Sequence, residues 1–303
     1  MKESFGNRFV INQFNHMELI ISVFTYFLGS GLAFYLGRDI NWGLFILGLS
    51  WVFLLLGTVY LPKYYFDFNE PWAVKAQMKV PLRFSKVEKN EFLRLLLLAT
   101  LSLITVLVVI TFLIVLQSQA KWMSVLLTST AILLGLIYAI PPLRIVYSGF
   151  GELIEALVIC GFVPFFAFQI QVGTFHQLVP FFSFAIVLLF LCMKIIQNLK
   201  RYATDLKYER KSMVTQMGWE RGMQLHNGLL ILAIIVLTSG VLLKLSWKLS
   251  ISGLLLVPFG AIQIWQMFQI ASGQKPKWLQ LSFLSFAILI LALYQISFVL
   301  WIG

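Results

Sequence analysis

Three segments carry residues whose types and spacing suit the chemistry of anions and hard cations. The first runs from Asn198 through Arg201, Asp205, Glu209 and Lys211 to Ser212 and on to Gly218. Read as a helix, it sets Asn198, Arg201, Asp205 and Glu209 three to four residues apart, on one face. Such a face can hold a hard cation through Asp205, helped by Asn198 or Glu209, while Arg201 meets a phosphate. The same spacing also describes a solvated helix whose charges pair locally, Arg201 with Asp205 for example.

The second segment is Tyr60-Leu-Pro-Lys-Tyr-Tyr-Phe-Asp-Phe-Asn-Glu70, with Pro81, Leu82 and Ser85 further on. Asp67 and Glu70 are its acids; Lys63, Lys75, Lys79 and Arg83 give it the means to bind an anion. Tyr64, Tyr65 and Phe66 equally fit an interfacial aromatic belt. The third segment, Tyr138 to Glu152, has Pro141-Pro142 to end a helix and Arg144 to offer a rigid fork of donors. Gly149 and Gly151 permit a tight re-entry, although an ordinary loop with a snorkelling arginine reads the same way.

The elements that must position these residues belong to a membrane. Of 303 residues, 60% are hydrophobic and 12% charged, against roughly 45–50% and about 25% in soluble domains. Nine stretches qualify as spans, or nearly so: 17–37, 42–61, 92–116, 122–140, 153–171, 179–196, 227–243, 248–270 and 280–302. They are expected to be helical, because unpaired backbone is costly in lipid and the runs lack the alternation of barrel strands. The expected fold class is therefore all-α integral membrane, with residues 1–303 as one transmembrane domain. The first run is too long for a signal peptide's apolar core and has no evident cleavage site. Cys160 and Cys192 lie inside apolar runs and read as packing residues.

Charge sets the expected orientation. Seventeen Lys and Arg fall on the side of the N-terminus and four on the other, so the N-terminus is expected in the cytoplasm and the C-terminus opposite. A net charge of +11 spread between spans points to headgroups or anionic ligands rather than nucleic acid. Two long connections, 62–91 and 197–226, share the cytoplasmic side, and function is expected there. A transporter would place ionisable groups at mid-span, and the spans read as almost clean of charge between their ends.

Taken in order, the segments resemble the UbiA-type intramembrane prenyltransferases, over nearly the whole chain. Tyr138–Glu152 is similar to the family's Tyr-x-x-Pro-Pro-x-Arg followed by Gly-x-Gly-Glu. Asp205–Ser212 with Gly218 looks like its Asp-Leu-Lys-x-Gly-x-Lys-Ser and following Gly; Pro81, Leu82 and Ser85 fit its Arg-Pro-Leu-x-Ser-Gly more loosely. The resemblance implies a UbiA-like bundle of nine helices around a central cavity open to the cytoplasmic side. It implies Mg²⁺ held by two Asp-rich motifs, an isoprenyl diphosphate donor, and an aromatic or other lipophilic acceptor. Asp67 and Asp205 are then the surviving metal ligands and catalytic acids, with Asn198 assisting and Glu70 and Glu209 as stand-ins. Lys75, Lys79, Arg83, Arg144, Arg201 and Lys211 would bind the diphosphate. The sequence departs from the pattern at the metal ligands: Lys63 and Tyr64 replace the leading Asn-Asp, and Arg201 replaces a middle Asp. Glu209 stands where a Gly is expected. Two expectations follow. One is a divergent prenyltransferase. The other is a non-catalytic protein of the same fold that binds an isoprenoid, quinone or pigment, or serves as a subunit of a larger membrane complex.

Overall fold

In lipid a helix satisfies its own backbone, and the apolar runs take that form. The computed structural model describes residues 16–67, 86–242 and 245–302. The helices are α1 (His16–Tyr35), α2 (Trp42–Asp67), α3 (Lys86–Gln117), α4 (Lys121–Ala139), α5 (Gly151–Val172), α6 (Leu178–Lys207), the short α7 (Met213–Met217), α8 (Trp219–Thr238), α9 (Trp247–Ala271) and α10 (Trp278–Ile302). Among the described residues, nine of them are long and apolar enough to cross a membrane, all but α7.

Several helices run past the expected spans, while α1 and α8 stop short of them, at Tyr35 and Thr238. α2 continues past Pro62 to Asp67, α3 begins at Lys86, and α6 runs on to Lys207. A window of apolar residues marks only the stretch that hydrocarbon covers. Lys, Glu, Arg and Leu are good helix formers in water too, so these helices extend beyond it. The two long connections are shortened accordingly.

α6 is the axis of the bundle. Its most apolar window is 83% buried, against 11% for that of α3. Phe182, Ile186, Leu189, Phe190 and Met193 pack on neighbours around α6, whereas Leu95, Leu98, Leu101, Val109 and Phe112 of α3 face outward, as suits contact with lipid. α1 and α5 approach closely where Gly29 lies against Pro164; a Cβ there would overlap the Pro164 carbonyl oxygen and come within 2.8 Å of its Cα.

α5 is interrupted by a π-helical turn at Leu157–Phe162. Pro164 lacks the N–H that would bond the Cys160 carbonyl, and a locally widened turn accommodates its ring. α4 stops at Ala139 because Pro141 holds Ile140 extended, at φ −101° and ψ 135°. A 3₁₀ turn, Ile145–Tyr147, then carries the chain into α5. This turn, the start of α1, the ends of α2 and α6, and α7 meet at one end of the bundle.

Candidate active site

Asp67 closes α2 and is buried. Its two oxygens accept from two residues of the turn between α4 and α5. Arg144 Nη2 lies 2.5 Å from Oδ1, and the Tyr147 hydroxyl donates to Oδ2 at 2.6 Å. Burial, and then the adjacent Asp67 carboxylate, push the Tyr147 phenol well above its ordinary range, which keeps it a donor. Arg144 holds a left-handed backbone, φ 38° and ψ 56°, at the start of the 3₁₀ turn. Its spacing from Tyr147, one 3₁₀ repeat, brings both side chains to the same carboxylate.

Asp205 is buried in the last turn of α6. Its ion-pair partner is Arg210, 3.7 Å away, reached because the chain reverses after α6, with Glu209 at φ 54°. The Arg210 guanidinium lies 5.8 Å from the centre of the Tyr147 ring and that of Arg144 lies 4.8 Å from it. The two acids, 138 positions apart, thus belong to one cluster, Asp67–Arg144–Tyr147–Arg210–Asp205. Ser212 and Thr215 cap α7 reciprocally, and Gln216 Nε2 donates to the Ser148 carbonyl at 2.8 Å, which ties α7 to the turn.

One helical face was expected to carry Asn198, Arg201, Asp205 and Glu209 together. The helix ends at Lys207, so Glu209 leaves that face, and Asn198 donates to Glu152 Oε1 of α5 at 2.7 Å. Arg201 and Lys211 are exposed at the same end. Glu70, Lys75, Lys79 and Arg83 lie outside the described residues.

Deeper in the bundle is a charged group that sequence reasoning missed. Lys194 of α6 pairs with Glu18 of α1 and, at 2.8 Å, with Glu155 of α5. The Tyr60 hydroxyl of α2 lies 3.4 Å from Glu155 Oε1. The spans are therefore not clean of charge. Glu18, Glu155 and Lys194 each look like a solitary charge at the margin of an apolar run, and nothing local pairs them. Tyr147 and Arg210 were missed as well; the available signal was their nearness in sequence to Arg144 and Glu209.

The resemblance read from the sequence implies Mg²⁺, so the donors can be tested against it. Among the described residues, no three His, Cys, Asp or Glu side chains gather in a way that could hold a metal ion. Each Asp67 oxygen already accepts a hydrogen bond, and one Asp205 oxygen faces a guanidinium while the other, Oδ2, is buried with no hydrogen-bond partner among the described residues. A hard cation needs several oxygens, and here it would face arginine charges already in place. These donors do not fit a pair of Mg²⁺ ions.

No protein-family model and no curated protein matches the sequence. Solved structures do match in fold. A UbiA homologue from Archaeoglobus fulgidus bound to DMAPP and Mg²⁺ superposes with TM-score 0.58 at 15% identity, covering 93% of this chain and 98% of that one. A UbiA homologue from Aeropyrum pernix K1 gives 0.57 at 14%, covering 91% and 96%. A digeranylgeranylglyceryl phosphate synthase gives 0.57 at 16%, covering 94% and 93%. The chain has the UbiA-type prenyltransferase fold.

Proposed function

We propose that this chain is a membrane-embedded prenyltransferase, which binds an isoprenyl diphosphate beside Asp67 and Asp205 and transfers the isoprenoid to an aromatic or other lipophilic acceptor. The observation that carries this reading is the convergence of three distant segments on one cluster of two carboxylates and two guanidinium groups. The reading is supported by the fold, since one solved structure that shares it is bound to DMAPP and Mg²⁺ and another is of a digeranylgeranylglyceryl phosphate synthase. Arg144, Arg201, Arg210 and Lys211 would meet the diphosphate, with Lys75, Lys79 and Arg83 contributing from the α2–α3 connection. As the allylic C–O bond breaks, negative charge builds on the leaving diphosphate, and fixed positive groups stabilise it there; the acceptor then attacks the allylic carbon. The site faces the cytoplasm in this reading, with the N-terminus on the same side and residues 1–303 acting as one transmembrane domain.

The test is prenyl transfer by the purified chain in nanodiscs, given labelled geranylgeranyl diphosphate and a total lipid extract, alongside Asp205→Ala. A labelled lipophilic product that the variant fails to form supports transfer.

One observation favours a second reading. Each surviving acid already faces an arginine, which suits a protein that binds an isoprenoid, quinone or pigment without turnover, or that serves as a subunit of a membrane complex. Binding of the labelled diphosphate with no product would select it.

A further inference from the structure

We propose that this site holds a diphosphate through guanidinium groups, Arg144 and Arg210 with the Tyr147 hydroxyl between them, and that this binding needs no divalent cation. The inference rests on the reading of the site as one for an isoprenyl diphosphate.

In a metal-dependent site the carboxylates face the cations, and the cations face the phosphate. Here the carboxylates face arginines. Asp67 accepts from Arg144 and Tyr147 with both oxygens, at 2.5 and 2.6 Å, so a cation there would share the carboxylate with a guanidinium that repels it. Asp205 has Arg210 within 3.7 Å, a distance for attraction but not for a hydrogen bond. A divalent cation at Asp205 would be repelled by that guanidinium.

The same arrangement suits a phosphate. Two guanidinium groups share the neighbourhood of one ring, at 4.8 and 5.8 Å from the Tyr147 centroid. Like charges gathered this closely repel unless anions lie among them, as Asp67 and Asp205 do here and as phosphate oxygens would. Arg201 and Lys211, exposed at the same end, add positive charge. The Arg144 and Arg210 side chains are 15% and 17% exposed, open enough to be reached and sheltered enough for a charge-assisted bond to be strong. Guanidinium forks match phosphate oxygens in pairs, which a single ammonium cannot do.

Backbone conformation points the same way. Arg144 and Glu209, the residue before Arg210, are the non-glycine residues with positive φ among those described, at 38° and 54°. Left-handed conformations of this kind persist where the surrounding structure enforces them, and they cluster at functional sites. Both arginines are thus presented by strained turns rather than by regular helix.

Titration of the full chain in nanodiscs with geranylgeranyl diphosphate, in EDTA and then in Mg²⁺, tests this. Affinity should agree between the two within about threefold, and Arg144→Gln and Arg210→Gln should each weaken it about tenfold or more, the loss of one charge-assisted contact. Arg210→Lys, which keeps the charge and the packing, should weaken binding in EDTA without lowering the thermal transition, which separates ligand contact from folding. Binding that appears only with Mg²⁺ would overturn the inference and leave the prenyltransferase reading standing. Binding in EDTA that ignores both arginine variants would overturn it too. No binding under either condition would remove the reading and the inference together.

Discussion

Glu209 adopts φ 54°, a conformation that costs an L-residue with a Cβ roughly 1–2 kcal/mol and a glycine almost nothing. The resemblance expects Gly at this position, four residues after Asp205, and the sequence departs from it there. The backbone here takes a conformation that glycine adopts readily. Glu209→Gly should therefore raise stability, by about 1 kcal/mol after allowing for the greater freedom of glycine in the unfolded chain, and leave the turn that aims Arg210 intact. A shift of the thermal transition in detergent, upward in the variant, checks this; an unchanged or lower transition would mean that the Glu209 side chain supports the turn. The residues of the site were partly legible. Asp67, Arg144 and Asp205 could be chosen from type and spacing, but their partners could not. Tyr147 and Arg210 matter because a 3₁₀ turn and a reversal after α6 bring them inward, and neither local shape is written in residue type.

Three helices are fastened by one lysine. Lys194 of α6 sits between Glu18 of α1 and Glu155 of α5, all largely removed from solvent. Removing the lysine leaves two carboxylates without their counter-charge, and breaking a buried pair in this way costs about 3–5 kcal/mol. Lys194→Met should thus destabilise the protein strongly, while the triple change Glu18→Gln, Glu155→Gln and Lys194→Met recovers most of the loss. Thermal unfolding of the single and triple variants in one detergent would show it; equal losses in both would mean that packing, not charge, is at stake. A second contact between α1 and α5 is purely steric. Gly29→Ala must displace the Pro164 backbone, at a cost of about 1–3 kcal/mol, whereas Gly228→Ala on α8 meets nothing within 4 Å and should be neutral or better. Size-exclusion profiles of the two variants should separate them. The helices themselves were legible because lipid forces both their form and their length. Their ends were not, since the helix outlasts the hydrocarbon at Asp67 and Lys207. The lysine and its two glutamates were hidden because Glu18, Glu155 and Lys194 are far apart in sequence, and only the packing of α1 and α5 against α6 makes them one group.

At the scale of the whole molecule, the nine spans among the described residues place consecutive helix ends alternately on the two membrane faces. The end of α6 lies with the Asp67–Asp205 cluster, and the start of α4 lies at the opposite end of the bundle. Basic residues divide seventeen to four between the same two sides, and such a bias sets orientation because Lys and Arg near span ends resist translocation. If the proposed donor is a soluble-headed isoprenyl diphosphate made in the cytoplasm, the cluster must open to that compartment for the bias and the chemistry to agree. The native thiols do not interfere with a test, since Cys160 and Cys192 are both buried. Lys207 and Lys121 are both exposed, one at each end. In intact cells a membrane-impermeant maleimide should label Lys121→Cys and spare Lys207→Cys, which should react only after permeabilisation. The opposite pattern would put the cluster outside the cytoplasm, where a diphosphate donor would have to be exported before it could bind.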